Sequence, residues 1–320
     1  MKQFIIRRLL IMIPVFIGIS MIIFGLIHST PGDPYITMLD PNITEADREA
    51  MLNSIGYYDP LPVKYIKWIE RAIKGDLGYS IRYKEPVADV ISRRIGNTLL
   101  LSVTALVLSV LIAVPLGIVS ATKQYSVFDY VATILALIGL SIPAFFFALG
   151  LIKVLAFDLG IFPISGIETT GANYTGMKRV LDVLHHMALP IIVLTFVQTA
   201  SLMRYTRSSM LEVIQQDYIR TAKAKGLSER VVIYKHALRN AMISIVTLIS
   251  LSLGGLLSGA VLTETVFVWP GMGTLVYQAI LNRDYPLVMA GTMLLALCVL
   301  FANLLADIMY AVVDPRIRYE

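Results

Sequence analysis

Leu9-Leu-Ile-Met-Ile-Pro-Val-Phe-Ile-Gly-Ile-Ser-Met-Ile-Ile-Phe-Gly-Leu-Ile-His28 contains no acid, lysine or arginine. A helix needs about 20 predominantly apolar residues to cross the hydrocarbon core of a bilayer, and this stretch supplies them. Lys2, Arg7 and Arg8 stand in front of it, which is also how a secretory signal begins. The apolar run is too long for a signal h-region, however, and no small-x-small cleavage pattern follows. It reads as an uncleaved first span.

Five further apolar blocks lie at about 98–120, 131–157, 187–203, 241–263 and 286–306. The fourth is the weakest, being short and carrying Pro190, Gln198, Thr199 and Ser201. Spans tolerate proline and polar groups when neighbouring helices satisfy the freed backbone. Composition agrees, with 57% hydrophobic and 15% charged residues and a mean hydropathy of +0.73. Soluble domains carry about 25% charged residues. The expected fold is therefore all-α, a polytopic membrane protein with six transmembrane helices.

Charge placement gives an orientation. Lys2, Arg7, Arg8, Lys123, a cluster over 204–240, Arg316 and Arg318 fall on one side. The short loops of the other side hold only Lys178, Arg179 and Arg283. The excess of Lys/Arg marks the cytoplasmic face, so both termini are expected inside, and long loops such as 29–97 do not count. The net charge of +5 is explained in this way without nucleic acid. Cys298 is the single cysteine, so neither an intramolecular disulfide nor a thiolate cluster can form.

The division follows: 1–28 as cytoplasmic N-terminus and span one, 29–97 as an outer loop, 98–310 as the transmembrane core, and 311–320 as a cytoplasmic tail. Loop 29–97 is patterned. Val63, Ile66, Ile69 and Ile73 recur at helical spacing beside Trp68, and Gly75-Asp-Leu-Gly78 reads as a turn. Val87, Val90, Ile91 and Ile95 then form a stripe that either lies in the interface or, the favoured reading, packs on the bundle.

Loop 204–240 carries the most information. Leu211, Ile214, Tyr218 and Ala222 would share one helical face. Gly226 suits the left-handed position after a helix end, with Leu227 folding back on Ala222. Ser228 would cap the next helix, with Glu229 in its first turn. A solvated basic loop is the bland reading of this helix, glycine turn and helix. A DNA-reading pair is disfavoured because both ends are tied to spans. A docking helix that passes motion from a cytoplasmic partner to the flanking spans fits better.

Asp217-Tyr-Ile-Arg-Thr-Ala-Lys-Ala-Lys-Gly-Leu227, followed by His236-Ala-Leu-Arg-Asn240, resembles the "EAA" loop of ABC-importer permeases in its dipeptide/oligopeptide/nickel branch. Arg220 stands at the usual Glu, Thr221 at the first Ala, His236 at Ile and Arg239 at Pro. Other short matches run in order along the chain: Pro31-Gly-Asp-Pro34, Gly75-Asp-Leu-Gly78, Glu264-Thr-Val-Phe-Val-Trp-Pro-Gly-Met-Gly273, Arg283-Asp-Tyr-Pro286 and Asp314-Pro-Arg-Ile-Arg318. The resemblance implies a type I importer permease in a cell membrane, paired with a second, homologous permease. Two cytoplasmic ATPase subunits would supply ATP and Mg, and an external solute-binding protein would deliver di- or oligopeptides, with nickel or another small solute as the alternative. It further implies ATPase docking through Asp217, Arg220, Thr221, Ala222, Gly226 and Leu227.

Other chemistry is sparse. No Gly-x-x-x-x-Gly-Lys-Ser/Thr and no His-Glu-x-x-His occurs, so neither a P-loop nor that zinc-protease site is expected. His185 and His186 are adjacent and diverge by about 100° on a helix, a poor chelate, and no metal site is expected. Lys153 can snorkel, and Asp307 is expected to pair with Arg316 or Arg318. Glu264 opens a segment, Trp269-Pro270-Gly271, whose turn chemistry predicts a helix break at the outer mouth, where it could line a translocation path. A stand-alone secondary transporter would need acids or paired broken helices at mid-membrane. A membrane scaffold or receptor is the remaining class.

Overall fold

The computed structural model describes residues 2–29, 44, 49–50, 52–53, 56–255 and 260–313. Pro31–Pro34 and Asp314–Arg318, with Arg316 and Arg318, lie outside them. Helix α1 is Lys2–Ser29. A short amphipathic helix, α2, Leu61–Ile73, follows. Helix α3, Val87–Thr122, begins at Val87 rather than near 98, because the amphipathic stripe runs unbroken into the span. Val87, Val90 and Ile91 are buried against Phe24 and Ile27 of α1, so the stripe packs on the bundle.

The third block is one bent pair. Helix α4, Val127–Ser141, and helix α5, Ala144–Leu151, which continues as a π-helical stretch Ile152–Asp158, meet at 103°. Pro143 is the cause. A residue before proline is pushed out of the α region, and Ile142 sits at φ −78°, ψ 125°. Helix α6, Gly176–Ile214, is much longer than the weak fourth block, with Pro190 inside it. Its polar Gln198 accepts a hydrogen bond from Ser109 of α3 at 3.3 Å. Helix α7 is Asp217–Ala224. A turn Glu229–Val231 and a π-helical stretch Val232–Ala237 lead into α8, Leu238–Gly255. Then come α9, Val261–Val266, α10, Met272–Leu281, and α11, Tyr285–Val313. Among the described residues, five helices are long and apolar enough to cross a membrane, six with the bent pair counted as one span.

Close approach of α3 and α6 forms the centre of the bundle. Ala105, Ala113, Gly117 and Ala121 give α3 a face of small residues. Small faces let helix backbones come close, which is how helices associate without a hydrophobic drive in lipid. At Gly117 a β-carbon would lie 2.6 Å from Thr206 Cβ, so the crossing requires glycine there. Elsewhere large apolar side chains face outward, such as Ile22 and Leu26 of α1, as a lipid-facing surface should.

Arg8 Nη1 lies 3.1 Å from Asp307 Oδ2, so α1 begins where α11 ends. Arg316 and Arg318, the expected partners of Asp307, lie outside the described residues. Lys153 is exposed and pairs with Asp158 at 2.9 Å.

Candidate functional site

The connection between α6 and α8 sits at one end of the bundle. After Ile214 the chain breaks at Gln215 and Gln216, and this resets the helical phase. Of the predicted common face, Leu211, Ile214 and Ala222 do pack into one cluster, but the phase shift leaves Tyr218 out of it. Ile219 and Ala222 of α7 are buried, in that cluster with Ala121 of α3, Met210 of α6, Val232 and Ile245. Tyr218 is turned outward.

Gly226 has φ +74°, the left-handed turn that glycine takes without penalty. A β-carbon there would meet nothing within 4 Å. Leu227 does not fold back on Ala222; it is 41% exposed. Ser228 occupies the position before the next helix, but its side chain makes no capping bond. Every residue from Lys223 to Val231 is exposed. Asp217, Arg220 and Thr221 also face outward, and the Arg220–Asp217 contact at 3.5 Å is too exposed to hold much. Of the six predicted docking residues, five lie on an open surface. Ala222 belongs to the chain's own core, where its small side chain lets α7 sit close to the π-helical stretch.

Behind α7 lies an interaction that periodicity does not reveal. Arg207 of α6 grips Asp129 of α4 with Nε–Oδ1 at 2.7 Å and Nη2–Oδ2 at 2.8 Å. Ser120 Oγ and the backbone N–H of Tyr125 donate to the same carboxylate. Ser126 caps α4 by accepting from the N–H of Asp129 at 3.2 Å. The Ser-x-x-Asp spacing was the available sign of that cap. The α3–α4 turn is thus tied to α6 ten residues before α7.

The other predicted constellation is at the far end of α3. Thr98 and Ser120 are separated by about 33 Å at 1.5 Å per residue. Glu264 of α9 has no exposed surface. It accepts from Thr98 Oγ1 at 2.6 Å, from the N–H of Thr274 at 3.0 Å and from the N–H of Gly273. Trp269, fully buried, donates Nε1–H to the carbonyl of Asn97 at 3.1 Å, and Asn97 donates to the carbonyl of Pro270 at 2.8 Å. A β-carbon on Gly271 would fall 2.1 Å from Glu264 Oε1. The break predicted at Trp269-Pro270-Gly271 is present between α9 and α10. Its carboxylate, however, is a closed clamp between α3, α9 and α10, with no surface left for a passing solute.

Asp284, also fully buried, is a second clamp at this end. It accepts from Ser80 Oγ, from the N–H of Arg82 at 3.1 Å and from the N–H of Leu287 at 3.3 Å, so it caps α11 and holds the segment after α2 at once. Gly78 completes the contact: at φ +88° its own β-carbon would touch Pro286 at 3.4 Å. The motifs Gly75–Gly78 and Arg283–Pro286 meet here.

His185 donates Nε2–H to the carbonyl of Ile161 at 2.8 Å, and His186 donates Nδ1–H to the carbonyl of Asp182 at 2.9 Å. Among the described residues no group of three or more His, Cys, Asp or Glu could hold a metal ion.

Residues 113–319 match the family described as binding-protein-dependent transport system inner membrane component, and residues 1–104 match that family's N-terminal part. Over 320 residues the chain is 45% identical to the oligopeptide transport system permease protein AppB of Bacillus subtilis (strain 168), with 100% of both chains covered. It is 41% identical over 338 residues to the dipeptide transport system permease protein DppB of Escherichia coli (strain K12), again with 100% of both covered. Among solved structures it is similar to the inward-facing MetNI methionine ABC transporter, at 18% identity and a TM-score of 0.53, covering 70% of this chain and 96% of that one.

Proposed function

The chain belongs to the family of binding-protein-dependent transport inner membrane components, and from that premise we propose that it is the transmembrane subunit of an ATP-driven importer of di- or oligopeptides. The observation that carries this is the exposed α7–Gly226 turn, anchored at both ends to membrane-spanning helices. Force applied to such an element reaches α6 and α8 through the cluster that Ile219 and Ala222 share with Met210 and Ile245. The peptide cargo rests on what the AppB and DppB relatives are named for.

In this reading α7 docks on a cytoplasmic ATPase, which puts Arg8, Asp307 and both termini on the cytoplasmic side of a cell membrane. Residues 29–97 lie outside, where a solute-binding protein delivers peptide, and 98–310 form the core. A second, homologous permease completes the pathway, and ATP and Mg sit on two ATPase subunits. The chain itself carries no P-loop sequence and acts as permease, not as hydrolase. Asp217, Arg220, Thr221, Gly226 and Leu227 are the docking surface, with Ala222 seating the helix from behind.

Affinity purification of the chain from its native membrane tests this. A second permease and ATPase subunits should co-purify, and the reconstituted assembly should take up labelled dipeptide only with ATP and the binding protein. Uptake by the chain alone, driven by an ion gradient, would replace this reading with a secondary transporter.

A further inference from the structure

A cavity of about 350 Å³ lies between the end of α1, the α2 helix and the start of α11. Its position along the membrane normal follows from α1. The apolar run 9–28 spans about 30 Å at 1.5 Å per residue, and Phe24, Ile27 and His28 at its end line the cavity. The cavity thus opens at a hydrocarbon boundary, the depth of lipid headgroups. Tyr57, Trp68 and Tyr285 gather there, as aromatic residues do at membrane interfaces.

One wall is basic. Lys64, Lys67 and Arg71 recur along the face of α2 that lines the cavity. Lys67 is taken by Asp59, and Asp76 Oδ1 accepts from the N–H of Gly78 at 2.9 Å. Lys64 stands 5.2 Å from the Tyr57 ring centre, and neither it nor Arg71 has a carboxylate partner among the described residues. The opposite wall, Ile27, Leu77 and Met289, is apolar. With Lys67 and Asp59 paired, Lys64 and Arg71 outweigh the one remaining carboxylate, Asp76, so a net-positive wall faces an apolar one at headgroup depth.

The geometry points to a binding site for the headgroup of an anionic membrane phospholipid. Lys64 and Arg71 take its negative charge, and its acyl chains run along the exposed Ile22 and Leu26 of α1. The volume suits a headgroup and excludes a whole lipid, since ligand pockets run about 300–1,000 Å³.

The test uses the purified complex in neutral detergent, with phosphatidylglycerol or phosphatidylcholine added and bound lipid counted by native mass spectrometry. Wild type should prefer phosphatidylglycerol by about tenfold, the scale of two cations acting on one anion near a membrane surface. The K64Q/R71Q double variant should bind both lipids alike. Co-purification of the complex confirms that the variant assembles. Unchanged preference in K64Q/R71Q overturns the proposal. So does displacement of the lipid by inorganic phosphate or by a dipeptide, which would assign the site to a soluble anion.

Discussion

Arg207 and Asp129 form a two-pronged ion pair across 78 residues of sequence, joining the α3–α4 turn to the stretch of α6 that leads into α7. Asp129 is nearly fully buried, while Arg207 keeps 24% of its side chain exposed. Removing one partner of such a pair leaves the other charged, desolvated and unmatched.

Asp129→Asn should therefore lower stability by about 3 kcal/mol, the low end for a broken buried pair because Arg207 retains some water. A thermal melt of the detergent-solubilised complex reads it. Arg207→Lys should cost less but still measurably, since an ammonium cannot grip both oxygens. An unchanged melting temperature in both would show that the pair contributes nothing.

Two glycines make opposite forecasts. Gly271→Ala places a methyl 2.1 Å from Glu264 Oε1, so the clamp must open and its donors lose their acceptor. About 3 kcal/mol or more is expected from overpacking together with stranded buried groups. Gly226→Ala meets open space and carries only the left-handed backbone cost, about 1–2 kcal/mol. Yields of folded protein on a sizing column rank the two, and a reversed order would refute the clamp.

Gly226→Asp adds a charged side chain to the exposed turn while Ile219 and Ala222 keep α7 seated. Membrane insertion and the fold should survive. Dipeptide uptake should fall about tenfold or more as the turn no longer fits its partner, with ATP hydrolysis freed from transport. Wild-type uptake by this variant removes the docking role.

Asp284→Ala takes away a helix cap and the acceptor for Ser80 and Arg82 together. Loss of the cap alone costs about 1 kcal/mol. Residues 75–86 should become far more sensitive to limited proteolysis, whereas cleavage within the α7 turn should not change. Equal protection in wild type and variant would mean the segment is held by other contacts.

Arg8→Ala is the contrasting case. Its pair with Asp307 is 45% and 32% exposed, and surface pairs are worth about 0–1 kcal/mol. The melting temperature should not move measurably.

What the sequence determined was everything governed by local chemistry. Long apolar runs have to be helices that satisfy their own backbone in lipid, so the spans were legible from Leu9 onward. Gly226 announced a turn because glycine takes its left-handed backbone without penalty, and Pro270 announced a break because proline cannot continue a helix. The short motifs fixed the family. Tertiary structure decided what distant residues do to one another. Tyr218 looked like the inward residue of the docking helix, yet the break at Gln215 and Gln216 shifted the phase and buried Ile219 instead. Glu264 looked available to a solute until Thr98, 166 residues away, proved to be its partner. Asp284 and Ser80 meet across 204 residues, and neither carries a local sign of the other. Helical periodicity reports which face is buried. It does not say against what, because pairing across the bundle depends on how whole helices come to lie together.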